Sequence, residues 1–374
     1  MIKLCVPSIG DEECLAVERV LRSGQLVHGE ECELFEHELA TYLGCKEVVV
    51  VSSGTAALHL SLVALGIGVG DAVLVPDFTF PATVNVVELV GARPIFVDVD
   101  LHTYNIAPEN IRRVINEWQG PEKIKAIIPV HEFGCPADMT AIMQIAKEYS
   151  LLVIEDAACG LGAIHKQQKV GTFGELGCFS FHPRKAITTG EGGAIATNDV
   201  ELANRLRIWR NHGVQRNANG VDFILPGFNY RMTNFQAALG RVQLLKFDHW
   251  LIERSRLQKI YTKNLISDKV YLPEDVNGHA WQTFMIRLSD SCDRNQMIGL
   301  LKERAIEVNL GANALHVLSY YTQKYNADCE KAIGNNSERL YHFGLALPLY
   351  QGLDSEIVER ISKEMLDILS SQKW

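Results

Sequence analysis

The chain has 374 residues, 47% of them apolar and 22% charged, with a net charge of −9 and no block of lysine or arginine. That length buries a core without a metal or disulfide staple, and an acidic chain without clustered cations excludes a phosphate-binding nucleic-acid surface. The nine cysteines (Cys5, Cys14, Cys32, Cys45, Cys135, Cys159, Cys178, Cys292 and Cys329) are odd in number and contain no C-x-x-C pair, so they read as reduced thiols rather than a disulfide framework or zinc ribbon.

In chain order, an acidic amphipathic helix is expected over about 30–43. E-V-V-V-V (47–51) reads as a short β-branched strand, and the S-S-G-T turn after it opens a helix over 56–65. A strand at 72–76 leads to a helix near 81–90, a strand at 95–99, a helix near 108–118 and a strand at 125–130. A helix over A-D-M-T-A-I-M-Q-I-A-K-E-Y, a strand at 151–156 and two more strands, G-C-F-S-F and G-A-I-A-T, follow. Continuous apolar strands separated by helices predict an α/β fold with a mostly parallel central sheet covered on both faces. Past about residue 235 the pattern changes. A long helical segment (about 234–266), a strand W-Q-T-F-M-I-R-L, a helix at 293–304 and a last helix at about 355–369 read as a smaller α+β domain. The expected division is a large domain over 1–243 and a small C-terminal domain over 244–374. The N-terminus reads as no signal peptide. The apolar stretch after S-S-G-T is too short to span a bilayer and is broken by His59 and glycines. A cytoplasmic protein is expected, with neither membrane nor nucleic acid as partner.

Chemistry is concentrated at strand ends. Lys185 follows a strand in the Pro-containing turn of F-S-F-H-P-R-K-A-I-T-T-G-E-G-G-A-I-A-T (179–197), where Gly190, Gly192 and Gly193 permit close backbone approach. A lysine standing alone is ordinarily a solvated surface residue. Asp156, however, ends an apolar strand where open α/β sheets place ligand sites, and a carboxylate there is costly unless it meets a cation. It either caps the following turn or faces the protonated pyridine nitrogen that pyridoxal phosphate presents beside its lysine. The S-S-G-T turn suits a phosphate through free amides and the helix dipole, although such turns also cap many helices. In P-D-F-T-F-P-A-T (76–83), Phe78 and Phe80 either stack on a planar cofactor or fill core. G-I-G-V-G (66–70) follows a helix rather than a strand and is no dinucleotide fingerprint, and no P-loop occurs. His131-Glu132 lacks a second histidine at metalloprotease spacing, and the other histidines form no ligand set, so no metal site is expected.

Together these segments resemble the DegT/DnrJ/EryC1/StrS family of sugar aminotransferases, a branch of the fold type I, aspartate-aminotransferase group. S-S-G-T-A-A-L, the E-D-A-A segment, G-T-F-G-E-L-G-C-F-S-F-H-P-R-K-A-I-T-T-G-E-G-G-A-I and G-F-N-Y-R-M-T-N-F-Q-A-A-L-G stand in family order along almost the whole chain, with L-H-V-L-S-Y-Y and L-A-L-P-L-Y-Q-G-L later. The resemblance implies a pyridoxal 5′-phosphate enzyme with Lys185 as the lysine covalently joined to the cofactor and Asp156 paired with the pyridine nitrogen. It further implies Phe80 stacked on the ring, with the phosphate held by the Gly54 and Thr55 amides and the Ser180 hydroxyl. Asn229 of the N-Y-R segment would reach the phosphate of a neighbouring subunit, which makes a homodimer with shared sites. Cys159 stands where many members carry histidine or glutamine near the cofactor's phenolic oxygen, and a thiol is a weak donor. His182, Glu191 and His316 lie in matching motifs without an assigned role. The implied reaction moves an amino group from L-glutamate to a keto-sugar nucleotide, 4-keto-6-deoxy first and 3-keto second, for amino-sugar biosynthesis. The alternatives are a keto-cyclitol acceptor, or a non-catalytic regulator that retains the fold. A branch with histidine in place of the lysine performs dehydration, and Lys185 argues against it.

Overall fold

A strand that is apolar at every position needs cover on both faces, and the strands of this chain obtain it. The computed structural model describes residues 1–217, 220–332 and 336–372, the side chains of residues 217 and 326–332 excepted. Helices α1 (Asp11–Ser23) and α2 (Glu30–Leu43) precede β1 (Glu47–Val51), α3 (Gly54–Ala64), β2 (Asp71–Pro76), α4 (Ala82–Leu89), β3 (Arg93–Val97) and α5 (Pro108–Glu117). Then come β4 (Lys123–Ile127), α6 (Met139–Tyr149), β5 (Leu152–Asp156), β6 (Leu176–Ser180), β7 (Gly193–Thr197) and α7 (Val200–Arg210). The seven strands form one sheet in the order β1-β7-β6-β5-β4-β2-β3. Strand β7 runs antiparallel to both neighbours and every other pair is parallel. The pleat divides β1 between two cores: Val49 and Val51 join Leu58, Leu60 and Leu206 on one face, and Val48 and Val50 join Phe35, Leu39 and Phe179 on the other. This is the fold type I arrangement expected above.

Helix α8 (Asn234–Asn264) serves two cores: Ala237 and Phe247 pack under the large sheet, whereas Leu257 and Tyr261 pack with Phe284 and Ile286. Those last residues belong to a three-stranded antiparallel sheet of Val270–Tyr271, Phe284–Leu288 and Gly344–Leu347. Helices α9 (Arg294–Glu303), α10 (Ser319–Ala332), α11 (Asn336–Phe343) and α12 (Ser355–Ser371) complete the chain.

Several elements differ from expectation. Strand β4 ends at Ile127 rather than residue 130, because Ile128 and Val130 already bond singly to Leu74 and to the end of β5. Helices α1, α7, α10 and α11, the hairpin Val214–Asn217 with Gly220–Phe223, and the strand Gly344–Leu347 carry weak sequence signals. Helix α1 buries only Glu13 and Val20, and the hairpin strand Gly220–Phe223 is exposed throughout. Among the described residues the cysteines are free thiols, with the Cys329 side chain outside them, and no helix is long and apolar enough to cross a membrane.

The end of β5 is anchored from below. The buried Glu155 carboxylate accepts the amides of Gly171 (2.7 Å), Phe173 (2.7 Å) and Gly174 (2.9 Å) and pairs with His131 Nε2 at 3.0 Å. His131 Nδ1 accepts the Ala137 amide at 3.1 Å, which leaves the Nε2 proton for Glu155. Removing the carboxylate strands three amides, one of them fully buried, and one buried imidazole donor. Glu155→Ala is therefore expected to destabilise the protein by about 3–5 kcal/mol, measured as the shift in urea midpoint, and an unchanged midpoint would refute the anchoring role.

Candidate active site

At the carboxyl edge of the sheet, between β5, β6 and the start of α3, lies a cleft of about 310 Å³. Its wall includes Gly54, Thr55, Phe80, Thr83, Glu132, Asp156, Cys159, Ser180, His182, Lys185 and Glu191. All the residues that the resemblance assigns to the cofactor, Asn229 excepted, are in this one place. Asn229 is exposed, on the segment that pairs with Asn211, and is not part of the cleft wall of its own chain.

Each side chain is positioned by local structure. Ser53 caps α3 by accepting the Ala56 amide at 3.0 Å, so the Gly54 and Thr55 amides keep no partner in the first turn. Gly54 is required by close packing: a Cβ there would lie 2.8 Å from Ser180 Cβ. The helix start and the Ser180 hydroxyl therefore form one polar corner with a positive dipole end. Asp156 follows from the pleat. Its neighbour Glu155 points below the sheet and Asp156 points into the cleft, where Oδ2 accepts Thr83 Oγ1 at 2.8 Å and Oδ1 accepts the Ala158 amide at 3.1 Å. Asp156 thus caps the turn after it and also faces the cleft. Burial raises its pKa above the usual carboxylate value, against the hydrogen bonds of Thr83 and Ala158 and the charge of Lys185.

Lys185 sits in the loop between β6 and β7, with its amide on His182 O at 2.8 Å. Neighbouring elements hold that loop: Gln243 accepts the Thr188 amide (2.7 Å), Gln236 donates to Glu191 O (2.7 Å) and Gln282 donates to Arg184 O (2.8 Å). Lys185 Nζ lies 3.0 Å from Cys159 Sγ. Burial works against the ammonium, but Cys159, Asp156 and Glu132 outweigh it and the lysine pKa is raised. Burial likewise raises the Cys159 thiol against the pull of Lys185. Phe80 is 69% exposed and lines the cleft, while Phe78 is fully buried and packs edge-on to Phe133. Phe78 is therefore core, and Phe80 is open to the cleft. His182 accepts the Arg184 amide through Nδ1 at 3.2 Å and shapes the lysine turn.

Sequence reasoning missed two groups. Glu132 was set aside with His131 as an incomplete metal motif, yet it stands in the cleft wall, and its place just beyond the end of a parallel strand was the available signal. His316 is the other. Its Nδ1 meets the buried Asp77 at 2.5 Å and its amide meets Asp77 Oδ1 at 3.0 Å, beside the pairing of Asn313–Ala314 with Phe78–Thr79. The C-terminal part of the chain thereby clamps the segment that carries Thr79 and Phe80.

The DegT/DnrJ/EryC1/StrS aminotransferase family model matches residues 7–366. Among solved structures, the chain is similar to a DegT/DnrJ/EryC1/StrS aminotransferase from Brucella abortus, with 34% identity over 96% of this chain and 95% of that one and a TM-score of 0.87. It is similar to Helicobacter pylori PseC, an aminotransferase involved in the biosynthesis of pseudoaminic acid, with 27% identity, 99% and 100% coverage and a TM-score of 0.92. It is also similar to DesV of S. venezuelae, with 31% identity, 96% and 95% coverage and a TM-score of 0.87.

Burial lowers the His316 pKa, but the hydrogen bond and charge of Asp77 outweigh it, so the imidazole is held above its ordinary value of 6.5. A raised histidine stabilises the fold fully below its unfolded pKa and loses that contribution as pH climbs through the folded one. The melting-temperature gap between wild type and His316→Gln is therefore expected to be widest near about pH 6 and to narrow toward about pH 9. A gap independent of pH would show that the imidazole acts as a neutral donor.

Proposed function

The chain belongs to the DegT/DnrJ/EryC1/StrS aminotransferase family and is a pyridoxal-phosphate-dependent sugar aminotransferase; from that premise we propose that it transfers an amino group from L-glutamate to a keto-sugar nucleotide. The step would be cytoplasmic and serve amino-sugar biosynthesis for a surface polysaccharide or related glycan, with a 4-keto-6-deoxy sugar the first candidate and a 3-keto sugar the second. The observation that carries the reading is Lys185 and the buried Asp156 carboxyl in one cleft, with a phosphate-sized polar corner at the start of α3. A regulator that only kept the fold would gain nothing from a buried acid beside a lysine, since burying such groups is costly.

The cleft fits the cofactor by its donor set: a lysine, a buried carboxyl, free helix-start amides beside a serine hydroxyl, and an exposed aromatic face. Pyridoxal phosphate, when bound, supplies a carbonyl that takes the amine and a ring that accepts the electrons released at the donor's α-carbon. Lys185 would hold it covalently, and its free amine would carry the donor's α-proton, as general base and then as general acid. Asp156, oriented by Thr83 and Ala158, keeps the pyridine nitrogen protonated; that cation in turn offsets the burial of the carboxylate. The Gly54 and Thr55 amides and Ser180 would hold the phosphate and Phe80 would lie against the ring, while Cys159 borders the lysine. Asn229 would reach the phosphate of a second copy, which its exposure and its absence from its own cleft wall support. Exposed Val221, Phe223 and Ile224 on the neighbouring hairpin offer apolar surface for that homodimer.

Lys185→Ala is expected to abolish turnover and the visible absorbance band of protein reconstituted with pyridoxal phosphate. Asp156→Asn keeps the shape but removes a charge-assisted bond of about 1.5–3 kcal/mol, so the rate is expected to fall roughly ten- to a few hundred-fold. An unchanged rate would reduce Asp156 to a turn cap. For the substrate, glutamate-dependent amination of keto-sugar nucleotides is read by mass spectrometry. Amination of keto-cyclitols alone would overturn the nucleotide-sugar assignment.

A further inference from the structure

Glu132 has no part in the chemistry above, yet its placement is costly. It is 4% exposed, its amide is fixed on Asn105 Oδ1 at 2.9 Å, and the chain reverses directly after it through Phe133 (φ 56°) and Gly134 (φ 92°). A positive φ at a phenylalanine is uncommon and is kept only where the surroundings impose it. The reversal leaves the side chain in the cleft wall with Lys185, Cys159 and Asp156. Thr79 hydrogen-bonds the carboxyl, while Oε2 is buried without a hydrogen-bond partner among the described residues. An unsatisfied buried carboxyl destabilises a fold, and leucine or glutamine would fill the same space at lower cost. A residue retained for packing alone would not be an acid.

We propose that Glu132 is a further catalytic residue, whose Oε2 hydroxyl donates to an oxygen acceptor brought in beside Lys185: the phenolic oxygen of pyridoxal phosphate or an oxygen of the bound substrate. The proposal rests on Lys185 as the cofactor lysine. In pyridoxal phosphate the phenolic oxygen sits on the ring carbon next to the one bearing the carbonyl that a lysine engages, so groups bordering Lys185 Nζ are the ones that meet it. Cys159, at 3.0 Å from Nζ, supplies only a weak donor. A protonated carboxyl supplies a strong one. Burial pushes the Glu132 pKa up to about 7, with Asp156 acting in the same direction and Thr79 and Lys185 against it, so the proton is available near neutrality. The charged and titratable groups facing it are Lys185 after β6 and Asp156 and Cys159 after β5.

The test uses Glu132→Gln and Glu132→Leu in apoenzyme and in holoenzyme reconstituted with pyridoxal phosphate, with Lys185→Ala alongside. Both apo variants are expected to melt no lower than wild type. Their gain should be larger at about pH 8 than at about pH 5, because a buried acid with a raised pKa loses folding stability as pH climbs through that range. If the acceptor is the phenolic oxygen, Glu132→Leu shifts the pH midpoint of the holoenzyme's visible band without any substrate, and Glu132→Gln shifts it less. If the acceptor is on the substrate, that midpoint stays and the rate at which saturating L-glutamate bleaches the band falls by about ten-fold or more in Glu132→Leu. Midpoint and bleaching rate both within about two-fold of wild type would overturn the proposal, as would lowered melting temperatures in both variants with matching losses of rate. A visible band that persisted in Lys185→Ala would instead overturn the cofactor-lysine reading, whatever Glu132 does.

Discussion

Two consecutive acids at the end of β5 are both buried, and the pleat sends them to opposite sides of the sheet. Glu155 goes down into a nest of three amides and an imidazole; Asp156 goes up into the cleft with a hydroxyl and one amide. The same dipeptide therefore contains a saturated acid, which stabilises the fold, and an acid with capacity left over, which the chemistry can use. The dependence runs one way. If the Glu155 nest loosened, the strand end would lose its fixed register against the Val130–Asp156 bridge, and Asp156 would lose its orientation into the cleft.

The rest of the cleft is held by elements distant in sequence. Helix α8 reaches the lysine loop through Gln236 and Gln243, and the segment before Phe284–Leu288 reaches it through Gln282. On the opposite wall, Asp77 and Asp98, just past the ends of β2 and β3, bind His316 and the start of α11. These four acids at the carboxyl edge of the sheet thus divide three tasks among them. Asp77 and Asp98 tie the C-terminal region down, Glu155 braces the strand, and Asp156 faces the ligand space. Rigid support at both walls is what a site needs when its reacting atoms must be held within a fraction of an ångström.

Legibility from the sequence follows how local each signal is. The strands were readable because a stretch such as Val48–Val51 is apolar at every position, which only a two-faced sheet explains. The strand-end residues Asp156 and Lys185 were readable because topology alone puts them on one edge, and the long run around Lys185 fixed the family. Glu132 offered only its place past a strand end, because its setting in the cleft wall depends on the φ of Phe133 and on Thr79 from another strand. His316 was silent for the same reason, since its partner Asp77 lies 239 residues away. Helices α7, α10 and α11 escaped because much of their surface is polar and their packing is decided by partners elsewhere, as in Arg210, whose buried guanidinium is neutralised by Glu36 of α2 at 2.6 Å.

The division between inner wall and rim bears on how one architecture serves many acceptors. The inner groups, Asp156, Glu132 and Cys159, share the cleft wall with Lys185 and would meet what is common to every turnover: the ring, the donor amine and the transferred proton. The rim is different. Arg184 and Glu191 are exposed, where charges are screened and side chains keep rotamer freedom. Groups of that kind discriminate weakly by themselves, since a hydrogen bond exposed to water is replaced by one to water at little net cost. Discrimination among sugars becomes strong only where the rim is dehydrated and its polar groups would be left unpaired by the wrong ring. A second copy of the chain, seated over the exposed hairpin and Asn229, would cover the rim in that way. On that proposed assembly, acceptor choice would depend on the pair rather than on the rim of one chain.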